Sequence, residues 1–263
     1  MSRPLTRYVR NLHHAHKYAW WFVRAFALFR EPTQFLGHYF RSTSPASRRV
    51  EFRDGTVFHL SGHPHDIITL FVIFVRRDYG FIAPDTTVVD IGANTGVFSL
   101  YAAKSGARRI LAFEPNGESV ACLTQNANSN GLENRIVPRQ LAVGDTPDQE
   151  VRFPVHASVH NRVAREGDQG EFEVVRTTTL HDILAREAPE GIDLLKMDCE
   201  GAEYGIFASI SADDLRRIRE IRMEYHEGRV DELEQKLRGA GFEIVLRQAH
   251  TARIGNLWAR RTN

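Results

Sequence analysis

The sequence predicts an α/β fold in which helices cover both faces of a mostly parallel sheet. From Thr87 onward, short apolar segments alternate with amphipathic ones, as in successive βαβ units. The segment VVDIGANTGVFS at 88–99 combines a buried-type strand, a glycine turn with an acid at its mouth, and a helix start. The next predicted strand, 109–113, is followed by Glu114, 22 positions after Gly92. Together these features predict a nucleotide-type cofactor site at the carboxyl ends of the strands.

The predicted elements of this fold follow one another closely. The expected strands are 88–91, 109–113, 135–143, 192–197 and 219–225, and the expected helices are 96–105, 117–130, 180–187 and 230–239. Two further strands, 150–155 and 172–176, surround a polar loop at about 156–170 and interrupt the alternation. Residues 242–247 and 254–260 are expected to form a closing antiparallel pair.

The 263 residues suit a domain with an appendage. We expect a basic helical amino-terminal arm at 1–49 and a catalytic domain at 50–263. Within that domain, a β-hairpin and a helix occupy 50–82, and a Rossmann-like core occupies 83–263. Alternating residues on either side of Asp54-Gly55 predict the hairpin, and the helix is predicted at 67–79.

The charge of the chain is unevenly distributed. Residues 1–50 carry nine Lys and Arg against one acid, so this segment has a charge of +8 in a chain whose total is +1. The remaining body is therefore mildly acidic, which predicts that nucleic acid is not a partner. The apolar run from Tyr18 to Phe29 is interrupted by Arg24 and is too short to span a bilayer. It predicts a helix that lies on an anionic membrane surface, or one that packs on the domain or on a second subunit of a homo-oligomer.

Cysteine usage bears on the cellular compartment. Cys122 and Cys199 are too few for a disulfide framework or, by themselves, a zinc site. We therefore expect a cytoplasmic protein, with peripheral attachment to a membrane as an open alternative.

The candidate cofactor-binding residues lie at three strand ends. An acid at a strand end can accept hydrogen bonds from hydroxyl or amino groups, and glycines allow a ligand to approach the backbone. An acid about 20 positions after the glycine turn typically meets ribose hydroxyls. An acid or backbone amide at the third strand end can meet an adenine edge, although a tight turn explains that segment nearly as well. The candidates are Asp90, Gly92, Asn94, Thr95, Gly96, Glu114, Pro115, Asn116, Gly144 and Asp145.

The candidate catalytic residues lie at two further strand ends. Asp198 and Glu200 can act as general bases or electrostatic partners, or Glu200 can favour the start of the following helix, as Glu203 can. Glu224 and His226 are two positions apart and point to one side of an extended segment, so an acid and the histidine form a candidate base-and-orienter pair. We predict no metal ion, with a divalent cation on Asp198, Glu224 and His226 as a lesser alternative. Asp198 is also a candidate for the cofactor site.

Five segments of the chain occur together in one known family: DIGANTG at 90–96, FEPN at 113–116, AVGD at 142–145, LKMDCEGAE at 195–203 and MEYH at 223–226. With them, residues 50–260 resemble the FkbM family of S-adenosylmethionine-dependent methyltransferases. The first segment is shared by many class I methyltransferases, and KMDCEGAE makes the resemblance specific.

The resemblance implies a seven-stranded Rossmann-like sheet with one antiparallel strand at an edge, and S-adenosylmethionine as cofactor. It implies that the turn at 90–96 holds the methionine part, Glu114 binds both ribose hydroxyls, and Gly144 and Asp145 flank adenine. It places Asp198 beside the sulfonium. Family members typically methylate hydroxyl groups, so the implied partner is a small molecule or a glycan.

Two other classes of protein share parts of the pattern. A nicotinamide-dependent oxidoreductase has the same order of strand, turn and acid, but its G-x-G-x-x-G pattern is absent from the turn at 92–96. A noncatalytic nucleotide-binding module is the second alternative, and the acids at several strand ends argue against it.

Overall fold

The computed structural model describes residues 15–155, 163–164 and 167–262, with side chains from residue 18 onward. The start of the predicted basic arm and most of the predicted polar loop lie outside these residues. Contacts divide the chain into two compact units, Met1–Asp78 and Tyr79–Asn263. The expected domain boundary at residue 50 stays a prediction.

The first unit is built from helices and a hairpin. Its elements are α1 (Ala15–Leu28), α2 (Pro32–Arg41), β1 (Arg49–Glu51), β2 (Val57–His59) and α3 (His65–Leu70), which continues as a π-helical segment, Phe71–Arg76. Val50 pairs with Phe58, which confirms the predicted hairpin. Phe29 stacks on Phe35 at 3.8 Å between ring centroids and forms the core of this unit with Phe52. Across the described residues, no helix has both the length and the apolar character needed to cross a membrane.

Among the residues that the structure describes, the second unit contains ten strands. They are β3 (Thr87–Ile91), β4 (Arg109–Phe113), β5 (Ile136–Arg139), β6 (Ala142–Gly144), β7 (Glu150–Pro154), β8 (Phe172–Thr179), β9 (Ile192–Met197), β10 (Ile218–Tyr225), β11 (Phe242–Ala249) and β12 (Gly255–Arg261). Its helices are α4 (Val97–Lys104), α5 (Gly117–Ser129), α6 (Leu180–Asp182, continued by the π-helical segment Ile183–Glu187), α7 (Glu203–Ser209), α8 (Ala212–Leu215) and α9 (Val230–Gly239).

The main sheet has seven strands in the order β11-β12-β10-β9-β3-β4-β5. The pairs from β10 to β5 are all parallel, so the predicted mostly parallel sheet is confirmed. The antiparallel strand β12 lies between β10 and β11. Its expected position at an edge was therefore wrong. In the closing hairpin of β11 and β12, it is β12 that pairs with β10, so β11 becomes the edge strand.

The predicted third strand, 135–143, is two strands. Leu141 donates from its backbone N–H to the carbonyl oxygen of Arg139 at 3.0 Å, closing a tight turn after β5. The chain then leaves the main sheet, and β6 pairs in parallel with β8 in a separate three-stranded sheet with β7. The break falls at Arg139 and Gln140, and Gln140 is exposed; the apolar residues on both sides of this polar pair led to the prediction of one strand.

Both faces of the main sheet are covered. Val89, Leu195 and Ile221 lie side by side in register and face the buried core that contains α6, α7 and α9. Alternate residues point to the opposite face, where the ammonium of Lys196 lies 5.8 Å from the ring of Phe98 in α4. The predicted covering of both sheet faces is confirmed.

Candidate active site

Strand register brings the predicted site residues to one edge of the sheet. Asp90 is paired with Lys196 across β3 and β9, and Met197 is paired with Met223 across β9 and β10. Asp198, which follows β9, therefore lies one pleat beyond Lys196 and next to the end of β10. The carboxyl ends of the central strands meet here, as expected for a ligand site in an open α/β sheet.

Asp90 lies beneath the glycine turn and is paired with side chains of β9 and α4. Its side chain is fully buried, 3.0 Å from the ammonium of Lys196, and it accepts a hydrogen bond from the Ser99 hydroxyl at 2.7 Å. Lys196 also donates to the carbonyl oxygen of Gly92 at 2.8 Å. Burial acts to lower the pKa of Lys196, but the charges of Asp90 and Asp198 raise it. Asp90 thus supports the turn through Lys196, and its predicted contact with a cofactor stays a prediction.

The turn itself is held close to the loop after β9. Gly92 has a φ of 74°, and a Cβ atom placed there would lie 1.9 Å from the backbone oxygen of Asp198. Asp198 in turn donates from its backbone N–H to Ile91 at 3.0 Å. Gly92 and Asn94 are half-buried while Thr95 is buried, so the first two form the accessible part of the turn.

Glu114 closes the turn from the neighbouring strand. Its two carboxylate oxygens accept hydrogen bonds from the backbone N–H groups of Asn94 and Asn116, both at 2.9 Å. Burial raises the pKa of Glu114 to about 7, although these hydrogen bonds and Lys196 act to lower it. A carboxylate has about four acceptor positions, so two remain for the hydroxyl groups of a ribose.

Asn116 has a structural role that the sequence left open. Its side-chain oxygen accepts a hydrogen bond from the backbone N–H of Ser119 at 2.8 Å and caps α5. Its amide nitrogen donates to the carbonyl oxygens of Pro154 and Val155 at 2.8 and 2.7 Å. Asn116 is 1% exposed, so its side chain caps α5 and anchors the end of β7, and its predicted contact with a cofactor stays a prediction. Pro115 beside it is half-buried.

Gly144 and Asp145 are set apart from the turn by the break after β5. Gly144 ends β6, and Asp145 is exposed beside the first turn of α7, where a Cβ on Gly205 would lie 3.6 Å from its carboxylate. Their predicted position beside adenine stays a prediction.

A group that we name the acid cluster follows β9 and β10; it consists of Asp198, Glu200, Glu203, Glu224 and His226. Its centre is a buried hydrogen bond of 3.0 Å between Nδ1 of His226 and Oε1 of Glu203. Glu203 is fully buried and also accepts from the backbone N–H of Cys199 at 3.2 Å. In the part of the chain that the structure describes, no donor reaches its second oxygen, Oε2.

The other nitrogen of His226 faces Glu200, with 3.6 Å between Nε2 and the carboxylate. Burial acts to lower the pKa of His226, but the hydrogen bond to Glu203 and the charges of Glu203 and Glu200 raise it to about 9. At neutral pH the ring is therefore an imidazolium. The orienter of His226 is Glu203, which the sequence predicted only as a residue of the helix start.

Two further carboxylates of the acid cluster hold protons more tightly than usual. Burial raises the pKa of Asp198, against the lowering effect of Lys196 and His226. Burial and the charge of Asp198 raise the pKa of Glu224 to about 7, although His226 opposes this. A carboxyl group with a pKa near the working pH can both accept and release a proton.

A cation would find ligand atoms in the same place. Single ligand atoms of Asp198, Glu200 and His226 all lie within 4.8 Å of one another. Glu200 adopts a φ of 52°, which a residue with a side chain rarely takes. The prediction of no metal ion stays a prediction, as does the divalent cation alternative, although the three residues that lie together include Glu200 in place of the predicted Glu224.

Lys196 and Ser99 both contact Asp90 beneath the turn, and the sequence reasoning missed both. A signal was present, since Lys196 interrupts the apolar strand Ile192–Met197. A lysine buried in a strand needs a counter-ion, and Asp90 on a parallel strand was the available acid. Ser99 carried no comparable signal, because a serine in the first turn of a helix is common.

The site suits S-adenosylmethionine by its chemistry. The acid cluster holds four carboxyl groups against one imidazolium, and this excess of acid complements a sulfonium and an α-ammonium group. Glu114 offers free acceptor positions for the ribose, and the half-buried backbone of Gly92 and Asn94 lies between them. Bound there, this cofactor supplies an electrophilic methyl group.

Known proteins resemble this chain in sequence and in structure. Residues 90–244, more than half of the chain, match the model of the methyltransferase FkbM domain. The AMB antimetabolite synthetase AmbE of Pseudomonas aeruginosa is 26% identical over 65% of this chain and 10% of its own length. The 31-O-demethyl-FK506 methyltransferase FkbM of Streptomyces tacrolimicus is 28% identical over 64% of this chain and 76% of its own.

A solved structure of a ribosomal protein L11 methylase from Lactobacillus delbrueckii subsp. bulgaricus covers 74% of this chain and 80% of its own, at 19% identity and a TM-score of 0.43. The chain thus spans about a tenth of the first relative and about three quarters of the second. The family match does not support the nicotinamide-dependent alternative. By its motifs and its match over 90–244, the chain belongs to the FkbM family of S-adenosylmethionine-dependent methyltransferases.

Proposed function

We propose that this protein transfers the methyl group of S-adenosylmethionine to a hydroxyl oxygen of a sugar, a glycan or another natural product. The observation that carries the proposal is the acid cluster, which lies beside the glycine turn and can receive the hydroxyl proton. One relative is named for a methyl transfer to an oxygen of FK506, which supports an oxygen acceptor.

The reaction is an in-line displacement. The acceptor oxygen forms a bond to the methyl carbon, the carbon–sulfur bond breaks with its electron pair going to sulfur, and the hydroxyl proton goes to a protein group. The protein must align the two reactants and accept that proton as the new bond forms.

The protonation states of the acid cluster select the proton acceptor. His226, with a pKa of about 9, already carries its proton at neutral pH and serves as a fixed positive charge. Glu224, with a pKa raised to about 7, can take a proton there, and Asp198 is the neighbouring carboxyl group whose charge contributes to that shift. We assign proton acceptance to these two carboxylates, and the imidazolium of His226 stabilises their negative charge.

The decisive measurement is methyl transfer to a panel of sugars, macrolides and amines, followed by S-adenosylhomocysteine release and product mass. We expect turnover with hydroxyl acceptors, and Asp198→Asn should lower kcat about a hundredfold or more. Cofactor affinity is measured in the same variant, because the acid cluster also faces the positive charge of the cofactor. Asp193→Asn is the matched control, since Asp193 lies on the same strand at its opposite end and binds the backbone N–H of Thr87 at 2.9 Å.

Three outcomes would contradict parts of the proposal. Turnover with amines alone would remove the oxygen acceptor. Full turnover in both Asp198→Asn and His226→Ala, with unchanged cofactor affinity, would remove the acid cluster from catalysis. Activity lost on thorough chelation and restored by a divalent ion would favour the metal alternative, whereas undiminished activity would eliminate it.

A further inference from the structure

The solvent-facing side of α1 is apolar along most of its length. Its large apolar side chains are between 43% and 59% exposed: Tyr18, Trp20, Phe22, Val23 and Phe26. Phe40 of α2 is 65% exposed, and its ring centroid lies 6.1 Å from that of Phe22. The exposed side chains therefore form one surface across both helices, which we name the aromatic face.

Within the apolar run of α1, the charged side chain points into the protein. Between Tyr18 and Leu28 the sequence has one charged residue, Arg24, which is half-buried and donates to the carbonyl oxygen of Phe74 at 2.7 Å. Ala25 beside it is fully buried. The helix thus reverses the arrangement of a water-facing helix, whose polar side chains point outward.

The size of the aromatic face calls for a covering surface. Five aromatic rings, each about half exposed, present on the order of 500 Å² of largely apolar area. A contiguous apolar patch larger than a few hundred Å² generally marks a site of interaction with a protein or a membrane.

Charge decides between these two occupants. The first 50 residues carry +8, and Arg30, Arg41 and Arg48 are exposed around the helices. Two copies that pair through the same face would bring two such segments together and repel each other. An anionic lipid surface attracts clustered Lys and Arg, and Trp and Tyr are enriched at the boundary between headgroups and acyl chains.

We propose that the aromatic face inserts into the interfacial layer of an anionic membrane, with α1 and α2 lying along the surface. The proposal rests on the first unit alone and is independent of the methyl acceptor.

The test is co-sedimentation of the full chain with phosphatidylcholine vesicles, with or without phosphatidylglycerol. We expect binding to the anionic vesicles, weakened when NaCl is raised to about 0.5 M because salt screens the attraction. The combined variant Trp20→Ser, Phe22→Ser, Phe26→Ser should bind at least about tenfold more weakly. The control Phe81→Ser removes an aromatic ring that is 69% exposed but lies in the second unit, and should bind like the wild type.

Folding of the combined variant is checked by its thermal transition and its S-adenosylhomocysteine affinity, and Trp20→Glu provides a single-site second variant. Failure of the wild type to bind anionic vesicles would overturn the proposal. So would equal binding by both variants and the wild type. A wild-type dimer that the combined variant converts to monomers, without lipid binding by either protein, would assign the aromatic face to a second copy.

Discussion

Two sets of acids lie at the same edge of the sheet, and they differ in how the protein satisfies them. Asp90 and Glu114, at the glycine turn, are paired with Lys196 and with two backbone N–H groups. In the acid cluster, four carboxyl groups surround the imidazolium of His226, and Glu203 holds the ring through a hydrogen bond of 3.0 Å. The acids at the turn are therefore held by a lysine and by backbone groups, whereas the acids of the cluster lie close to one another and raise each other's pKa values.

This difference separates binding from chemistry. Groups that the fold already satisfies keep one geometry and cost little reorganisation when the cofactor binds. The pKa of Glu114 is also raised to about 7, but its two oxygens are engaged by backbone N–H groups. Asp198 and Glu224 lie among other carboxyl groups instead and can take part in proton transfer. The predictions below test that separation.

The largest effect is expected from Lys196→Met, which leaves Asp90 buried without its partner. Loss of one member of a buried ion pair destabilises by about 3–5 kcal/mol, so thermal or urea unfolding should show a loss of that order. Lys236→Met, at a lysine that donates to the carbonyl oxygen of Ile210 at 3.1 Å, is a matched control and should lose about 1 kcal/mol or less.

A second substitution isolates the unpaired charge. Adding Asp90→Asn to Lys196→Met removes the buried carboxylate, so we expect part of the lost stability to return. Asp90→Asn is also measured alone. If Asp90→Asn lowers the stability of Lys196→Met as much as it lowers that of the wild type, the ion pair is not what holds the turn.

Gly92→Ala should have the next largest effect. The new Cβ would lie 1.9 Å from a backbone oxygen of Asp198, so the loop after β9 must move away from the turn. We expect a loss of about 2–4 kcal/mol and a large loss of cofactor affinity by calorimetry. Gly131→Ala has a φ of 63° but nothing within 4 Å of its Cβ, and should lose about 1 kcal/mol with unchanged affinity. Equal effects of the two variants would show that the close approach at Gly92 is unimportant.

The smallest of these effects concerns the pH dependence of the acid cluster. Because the pKa of His226 is raised to about 9, its contribution to stability is complete below its ordinary value of about 6.5 and is lost as pH rises through 9. Glu203→Gln removes the charge and weakens the hydrogen bond that raise this pKa. The alkaline loss of stability should therefore begin at lower pH and shrink by on the order of 1–2 kcal/mol.

The measurement is the midpoint of thermal unfolding from pH 6 to pH 10 for the wild type and Glu203→Gln, with Glu232→Gln as the control. Glu232 pairs with Arg229 on the surface and should leave the His226 titration unchanged. If the thermal midpoints of the wild type and Glu203→Gln fell in the same way above neutral pH, Glu203 would not be the orienter of His226.

Much of the site could be predicted from sequence because its signals are local. The glycine turn at 90–96 is marked by its own residues, and Glu114 is marked by its distance from that turn. Glu203 shows the opposite case, since its own neighbours suggest a helix start, while its partner His226 lies 23 residues further along the chain. The break after β5 escaped prediction because burial alone does not reveal which sheet a strand joins.

The sequence by itself determined the succession of most strands and helices along the chain, the glycine turn and the family. Periodicity and motifs are carried by neighbouring residues, so they can be recognised without the fold. The tertiary structure decided the partners of the buried charges and the place of β12. Lys196 meets Gly92 across 104 residues, and that contact exists only because β9 lies beside β3. The order of the strands within the sheet depends on residues far apart in the chain. The ion pair of Asp90 with Lys196 and the grouping of the acid cluster therefore follow from the fold.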